Sequence, residues 1–113
     1  MSRSKDIGTF TESAVAKYAR GVGFPYADRH VLKGSLDEGD VWLDPHGRVI
    51  VECKGGKAAE TASDTQVAAW LTETERERRN AQAHYAFLVL KRPGKGVQQT
   101  GAWWAVIGSQ HLY

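Results

Sequence analysis

The chain has 113 residues, of which 42% are hydrophobic and 25% charged, and this is the length and composition of one globular domain. No apolar run approaches the ~20 residues of a membrane span, and the first residues lack the apolar core of a signal peptide, so we expect no membrane association. One cysteine excludes an internal disulfide and favours a reducing cytoplasm, while the net charge of +2 is only weak evidence for a polyanionic partner.

The N-terminal part predicts a loose tail followed by a helix. We expect residues 1–8 to form a flexible tail and residues 9–113 to form a single domain. Thr9 followed by Glu12 has the pattern of a capping box, in which each residue caps the start of the helix. A helix is therefore expected over residues 10–20, with an apolar face formed by residues at helical spacing: Phe10, Ala14, Val15 and Tyr18.

A short strand and a polar loop are expected next. Residues 23–31 begin with a Gly-Phe-Pro turn signal and end in a β-rich run, which predicts a first strand. Residues 33–39 form a polar loop bounded by glycine, and its flexibility suits a segment that becomes ordered on a substrate. Asp37 and Glu38 are most simply solvated acids of this loop.

Residues 39–54 are the most informative stretch, and they predict a β-hairpin. Two β-rich runs, residues 41–43 and 48–53, flank a turn signal. The turn sequence Asp44-Pro45-His46-Gly47 has Asp, Pro and Gly at the positions that a type I turn favours, with Gly47 in the left-handed conformation.

The length of the predicted turn determines which residues face one another. With a three-residue loop, Asp40 lies opposite Glu52, and their Cβ atoms are roughly 5 Å apart. Glu52 and Lys54 share one face of the strand, and Cys53 points to the other face. A loop longer by one residue would separate Asp40 from Glu52, so the predicted site depends on the turn.

The predicted hairpin brings together two carboxylates, which repel each other unless a cation lies between them. Oxygen ligands at this spacing suit Mg²⁺, with Mn²⁺ able to substitute, and both ions accept phosphate oxygens from a substrate. Lys54 would position an attacking water, help to deprotonate it, or stabilise charge in the transition state. The alternative is that Glu52 and Lys54 form an ordinary ion pair on a solvated strand face.

Gly39-Asp40, followed by Val51-Glu52-Cys53-Lys54-Gly55, resembles the signature of the PD-(D/E)XK nuclease superfamily. The spacing is most similar to the archaeal-type Holliday junction resolvases, a branch that is also often found in phage. The resemblance implies a restriction-endonuclease-like α/β fold, in which helices flank a mixed β-sheet in the order α-β-β-β-α-β-β. It covers about residues 9–107, and its most specific part is the hairpin.

The resemblance also implies which residues bind the metal. Asp40 and Glu52 would be direct Mg²⁺ ligands, together with the main-chain carbonyl of Cys53, and Lys54 would orient the attacking water. Glu12 would reach the metal site from the first helix, whereas its local sequence alone is equally consistent with a helix cap. In all, the resemblance implies a catalytic set of Glu12, Asp40, Glu52, Lys54 and Gln66.

Three further positions match the nuclease pattern more loosely. Arg29 would contact a phosphate with its planar guanidinium, although a surface strand arginine explains it equally well. Ser35 resembles a loop serine of the resolvases. Gln66 would point into the site from the start of the second long helix, with Trp70 as its aromatic companion, while the alternative is a purely structural cap partner.

The second half of the chain predicts a long helix. Residues 63–66 form a second capping box and open a helix that runs to about residue 81. Its buried face is expected to consist of Val67, Trp70, Leu71 and Thr74. The charged run over residues 73–79 is interpreted as a solvated helix face with weak ion pairs.

Two strands separated by a basic turn complete the chain. The apolar run of residues 84–90 predicts a strand buried on both faces, and residues 101–107 predict the last strand. Trp103 and Trp104 must face opposite sides of that strand, and an exposed tryptophan would suit a dimer contact. Three basic residues of that turn are candidates for DNA-backbone contact or, alternatively, for keeping the sheet soluble: Lys91, Arg92 and Lys95. Lys57, in the glycine-rich segment after the hairpin, is a further candidate for DNA contact.

These observations favour a Mg²⁺-dependent, structure-selective DNA endonuclease. The resemblance implies a Holliday junction resolvase that acts as a homodimer, since two symmetric nicks in a four-way junction need two active sites. Two alternatives remain open: a small nuclease of the same superfamily that acts on DNA ends, flaps or single strands, and a non-catalytic DNA-binding module. A third, a metal-independent interaction protein, would use the hairpin only structurally.

Overall fold

The computed structural model describes residues 3–32 and 34–108. Within these ranges no helix is both long and apolar enough to cross a membrane. The elements follow one another as α1 Arg3–Gly21, β1 Asp28–Arg29, β2 Val41–Trp42, β3 Val49–Lys54, α2 Gly56–Glu60, α3 Asp64–Ala81, β4 Tyr85–Leu90, a 3₁₀ segment Val97–Ala102 and β5 Trp104–Val106. This is the predicted order, with the short α2 and the 3₁₀ segment added.

The described strands form one mixed sheet of five strands in the order β1-β2-β3-β4-β5. Strands β3 and β4 pair in parallel, and the neighbouring pairs on both sides are antiparallel. The chain between β3 and β4 contains α2 and α3, as a parallel connection requires a crossover. The α/β class with a mixed sheet flanked by helices is therefore confirmed.

The turn between β2 and β3 has the predicted form. Gly47 has φ +66°, and its amide donates to the Asp44 carbonyl at 3.2 Å. The Asp44 carboxylate accepts from the amides of His46 and Arg48 at 2.8 and 3.1 Å. Val41 pairs with Val51 in the resulting register, so Asp40 lies opposite Glu52 as the turn predicts.

The two faces of the sheet are covered by different helices. On one face, α1 packs Val15 and Ala16 against Val41, Val51 and Cys53. Residues that alternate with these point to the other face, where α3 lies. Glu52 and Lys54 therefore face α3, and the salt bridge from Lys54 to Glu73 of that helix bears this out.

The start of α1 differs from the prediction. The helix begins at Arg3, so a loose tail is wrong for residues 3–8, while Met1 and Ser2 lie outside the described residues. Thr9 lies inside the helix and caps nothing, which makes the predicted capping box wrong as well. Phe10 and Tyr18 are 62% and 45% exposed, because the stripe that faces the sheet consists of smaller side chains: Thr11, Val15, Ala16 and Ala19.

Helix α3 has the predicted bounds. The Ser63 hydroxyl accepts a hydrogen bond from the Gln66 amide at 3.1 Å, and the helix ends at Ala81 before the left-handed Gln82. The interpretation of residues 73–79 as a solvated charged face is wrong at Glu77, which is 2% exposed.

The C-terminal strand is shorter than predicted. The 3₁₀ segment extends to Ala102, and β5 begins at Trp104; residues 109–113 lie outside the described ranges. The two tryptophans do face opposite sides, since Trp103 is 7% and Trp104 57% exposed.

Candidate active site

Asp40 and Cys53 are joined across the hairpin at the end of β2. The Asp40 carboxylate accepts a hydrogen bond from the Cys53 amide at 2.9 Å, and the Asp40 amide donates to the Val51 carbonyl, also at 2.9 Å. These two bonds hold the Asp40 side chain beside the strand that carries Glu52. The Cys53 thiol is buried in the α1 face, as expected, and burial followed by the charge of Asp40 raises its pKa.

Glu52 is almost fully buried, with 3% of its surface exposed. Burial raises its pKa strongly, and hydrogen-bonding contacts with the Asp40 and Glu73 carboxyl groups raise it further. One oxygen, Oε1, has no hydrogen-bond partner among the described residues. Burial beside two other acids therefore disfavours the charged form of the Glu52 carboxyl.

Lys54 is surrounded by groups that stabilise its positive charge. Its Nζ lies 3.3 Å from Glu73 Oε1, 3.6 Å from Glu52 Oε2 and 5.5 Å from the centre of the Trp70 ring. Burial alone would lower the Lys54 pKa, but the neighbouring carboxylates of Glu52 and Glu73 raise it above its ordinary value. Lys54 therefore carries a charge, and its closer partner Glu73 has a lowered pKa because Glu52 and Lys54 both donate to it.

Glu12 and Arg29 form an ion pair next to Asp40. Arg29 Nε donates to Glu12 Oε1 at 3.1 Å. Burial and the charge of Asp40 raise the pKa of Glu12, against the opposing effect of Arg29. The structure thus brings five predicted residues to one region: Glu12, Arg29, Asp40, Glu52 and Lys54.

Two acids of α3, Glu73 and Glu77, were missed as site residues. One carboxylate oxygen from each lies, with one from Glu52, in a group whose atoms are all within 4.8 Å of one another. The signal that points to them is the spacing from Trp70, because positions 70, 73 and 77 fall on one side of a helix. The charged neighbours concealed this stripe.

Two predicted residues lie outside this cluster. Gln66 is exposed and lies on the same side of α3 as Glu73, but seven residues earlier, which is about 10 Å along the helix axis. Ser35 is exposed in the loop between β1 and β2. Both side chains are open to solvent, and their contact with a substrate stays a prediction.

The predicted basic residues follow the strand ends nearest to Lys54. The Lys91 amide donates to the Lys54 carbonyl at 3.1 Å, so the basic turn begins beside the active-site lysine. Lys91 Nζ pairs with Glu60 at 2.6 Å, and the Arg92 guanidinium lies 3.9 Å from the centre of the Trp104 ring. Lys57 and Lys95 are exposed.

One cleft of the described structure lies apart from the acidic residues. It has a volume of about 560 Å³ and lies between α1 and the 3₁₀ segment, with Phe10, Tyr18 and Val97 in its lining. Its walls are largely apolar, and the acids near Asp40 are not part of it. The acidic residues lie instead beside the interior strands β2 and β3.

Comparison with known proteins found no matching protein-family model, no matching curated protein and no matching solved structure. The functional proposal below therefore rests on the residues of the hairpin and the two helices that flank it.

Proposed function

We propose that this protein is a Mg²⁺-dependent endonuclease that cuts branched DNA, with a restriction-endonuclease-like fold and a Holliday junction as its preferred substrate. The carrying observation is the hairpin register, since it sets Asp40 opposite Glu52 with Lys54 two residues further along the same strand. Paired carboxylates followed by a lysine are the arrangement that the PD-(D/E)XK resemblance requires.

The residues around Asp40 fit a divalent cation. Glu52 has a buried oxygen that no amide or basic group of the described ranges reaches, and the charge of Asp40 raises the pKa of both Glu52 and Glu12. These acids, with the Cys53 carbonyl, form a hard oxygen set that suits Mg²⁺ or Mn²⁺. When bound, the ion would neutralise the clustered charge and activate water for attack on phosphorus.

Lys54 and Arg29 act on the substrate through their positive charges. Because the pKa of Lys54 is raised, its ammonium group is a hydrogen-bond donor and not a base at neutral pH. It orients the attacking water and stabilises the negative charge that develops on the phosphate. The Arg29 side chain, although paired with Glu12, is 39% exposed and can present its remaining N–H groups to the DNA backbone.

The basic turn gives the proposed DNA path a direction. It starts beside Lys54, and the exposed amines of Lys57 and Lys95 lie on the segments that follow the parallel strands. A homodimer would supply the second active site for a symmetric pair of nicks. A cytoplasmic protein would meet such DNA, and the single cysteine is compatible with that compartment.

The decisive test is cleavage of a labelled four-way junction, a matched duplex and single-stranded DNA, each with Mg²⁺ and with EDTA. We expect paired symmetric nicks in the junction only, absent in EDTA and in Glu52→Gln and Lys54→Ala. Arg48→Ala is the control, because Arg48 precedes β3 at the end away from Lys54, and it should cut normally.

The other outcomes separate the alternatives. Mg²⁺-dependent cutting of the duplex or single strand would keep the nuclease and remove the junction preference. Tight DNA binding without cutting by folded protein, in Mg²⁺ and in Mn²⁺, would identify a DNA-binding module instead.

A further inference from the structure

Helix α3 supplies two carboxylates that the proposed nuclease centre does not use. Glu73 and Glu77 are four residues apart on the face that meets β3, and Glu52 reaches towards them from the strand. One oxygen from each of the three acids lies within 4.8 Å of one oxygen from each of the others. The cluster thus joins the helix to the central strand.

Three buried carboxylate oxygens of this cluster receive no hydrogen bond from an amide or a basic group of the described residues. Glu77 is 2% exposed, and no backbone amide or basic side chain in the described part of the chain donates to its carboxylate oxygens, so its hydrogen-bonding neighbour is another acid, Glu52. No amide or basic side chain of these residues donates to Glu52 Oε1 either. Lys54 reaches only the other Glu52 oxygen and Glu73 Oε1, so it leaves all three unsatisfied. Burying a carboxylate without a partner is costly, which points to a group that binds here.

We propose that Glu52, Glu73 and Glu77 form a second divalent-cation site, separate from the one around Asp40. Hard cations take carboxylate oxygens at about 2.0–2.6 Å, so two ligands on opposite sides of one ion are about 4–5 Å apart. The three oxygens lie within 4.8 Å of one another, close enough to share one ion. Glu73 is the most exposed of the three ligand side chains, at 36%, and forms the route by which an ion enters from solvent.

The site would act as a clamp between α3 and the sheet. Its ion would replace Lys54 as the partner of Glu73, and it would satisfy Glu77, which Lys54 does not contact. The proposal goes beyond the nuclease and does not require it, because binding of the ion alone is its measurable consequence. Only Glu52 is shared with the Asp40 centre.

The test is titration of the purified protein with Mn²⁺. Calorimetry measures the affinity, and electron paramagnetic resonance counts the bound ions. We expect Glu77→Gln and Glu73→Gln each to weaken one Mn²⁺ site at least tenfold and to remove part of the rise in melting temperature that Mn²⁺ causes. Asp40→Asn should retain this site, and the control Glu60→Gln should bind as the wild type does.

Wild-type number and affinity of bound Mn²⁺ in Glu77→Gln and Glu73→Gln would overturn the proposal. Glu73 is partly exposed, so its substitution tests the site even if Glu77→Gln folds poorly, and circular dichroism shows which variants are folded. If Mn²⁺ binding depends on Glu77 while the wild type cuts no DNA, the result supports the cation site and contradicts the nuclease function. If the wild type cuts DNA and Mn²⁺ binding is independent of Glu73 and Glu77, the result supports the nuclease function and contradicts the cation site.

Discussion

Glu77 has the surroundings of a core residue although it lies in a strongly charged segment. Burial raises its pKa to about 8, and the nearby charges of Asp37, Asp40 and Glu73 act in the same direction, against a hydrogen bond from Glu52. A carboxyl group of this kind is protonated at neutral pH in the metal-free protein. Its charge state therefore depends on pH in the range where proteins are usually handled.

Metal-free protein should lose stability as the pH rises towards 9. The pKa of Glu77 is about 8 in the folded protein and 4.5 as its ordinary value, so the folded state keeps a proton that the unfolded state releases between these pH values. The stabilisation is complete below the lower value, is lost progressively between the two at up to ~1.4 kcal/mol per pH unit, and is gone above the higher one. Urea denaturation in EDTA at pH 5, 7 and 9 measures it.

The variant Glu77→Gln should flatten this pH dependence, because glutamine has nearly the same shape and stays neutral. Glu60→Gln serves as the control, since its carboxyl pairs with Lys91 and has a lowered pKa. An unchanged slope between pH 5 and 7 in Glu77→Gln would assign the titration to another group of the cluster.

Sequence reasoning found Asp40, Glu52 and Lys54 because their placement follows from local rules. Turn length and strand alternation determine their positions, and both can be read from neighbouring residues. Glu77 escaped because a charged residue in a charged run is usually solvated, and only the packing of α3 on β3 buries it. The pairing of Lys91 with Glu60 was missed for the same reason, since the two are 31 residues apart.

At the scale of single elements, the hairpin depends on one glycine. A Cβ at Gly47 would lie 2.8 Å from the Trp42 ring, and the residue has φ +66°. Gly47→Ala therefore combines backbone strain with a clash, and we expect it to lower the free energy of unfolding by about 2–3 kcal/mol. Urea denaturation measures the loss.

Gly94 provides a matched control for that substitution. It has φ +73°, and nothing lies within 4 Å of the position of an added Cβ. Gly94→Ala should lower the free energy of unfolding by roughly 1 kcal/mol, because only the strain of a left-handed backbone conformation acts there. Equal losses in the two variants would show that the Trp42 contact does not restrain the turn.

The start of α3 offers a second test at this scale. The Ser63 hydroxyl accepts from the Gln66 amide and satisfies one of the free donors at the helix N-terminus. Ser63→Ala should destabilise the protein by about 1 kcal/mol, whereas Ser63→Asp keeps the acceptor and should be near neutral. Thermal denaturation at pH 7 measures both. A loss in the aspartate variant equal to that in alanine would contradict the capping role.

Whole elements were predicted correctly only where the sequence contains a strong signal for their first residue. Ser63 gave α3 its bounds, whereas α1 extends to Arg3 through residues with no apolar pattern. Helix α2 covers only Gly56–Glu60, too short for any periodicity to be visible. Such segments take their conformation from the elements that they connect.

At the scale of the whole molecule, opposite charges are segregated around one end of the sheet. The net charge is only +2, yet the acids lie between β3 and α3 while the basic turn leaves the adjacent strand β4. A DNA backbone lying on the basic turn would thus bring a phosphate towards Lys54 without crossing the acidic cluster. Total charge conceals this arrangement.

The salt dependence of DNA binding should report this arrangement. In the absence of cleavage, with EDTA present, Lys57→Ala and Lys95→Ala should each reduce the slope of log affinity against log salt by about 0.9, as expected for the loss of one phosphate contact. Arg48→Ala is the control, because Arg48 precedes β3 at the end away from Lys54. Equal slopes in all three variants would contradict the proposed contacts of Lys57 and Lys95 with DNA phosphates.

The hydrogen bond from the Cys53 amide to Asp40 also gives the protein a built-in spectroscopic reporter. An amide that donates to a carboxylate changes its proton and nitrogen chemical shifts when that carboxylate binds a cation or a proton. The Cys53 amide resonance in a ¹⁵N-labelled sample therefore follows the state of Asp40, and no chemical probe has to be attached to the protein. Resonances of Glu73 and Glu77 would follow the α3 cluster independently, so one spectrum separates the two centres.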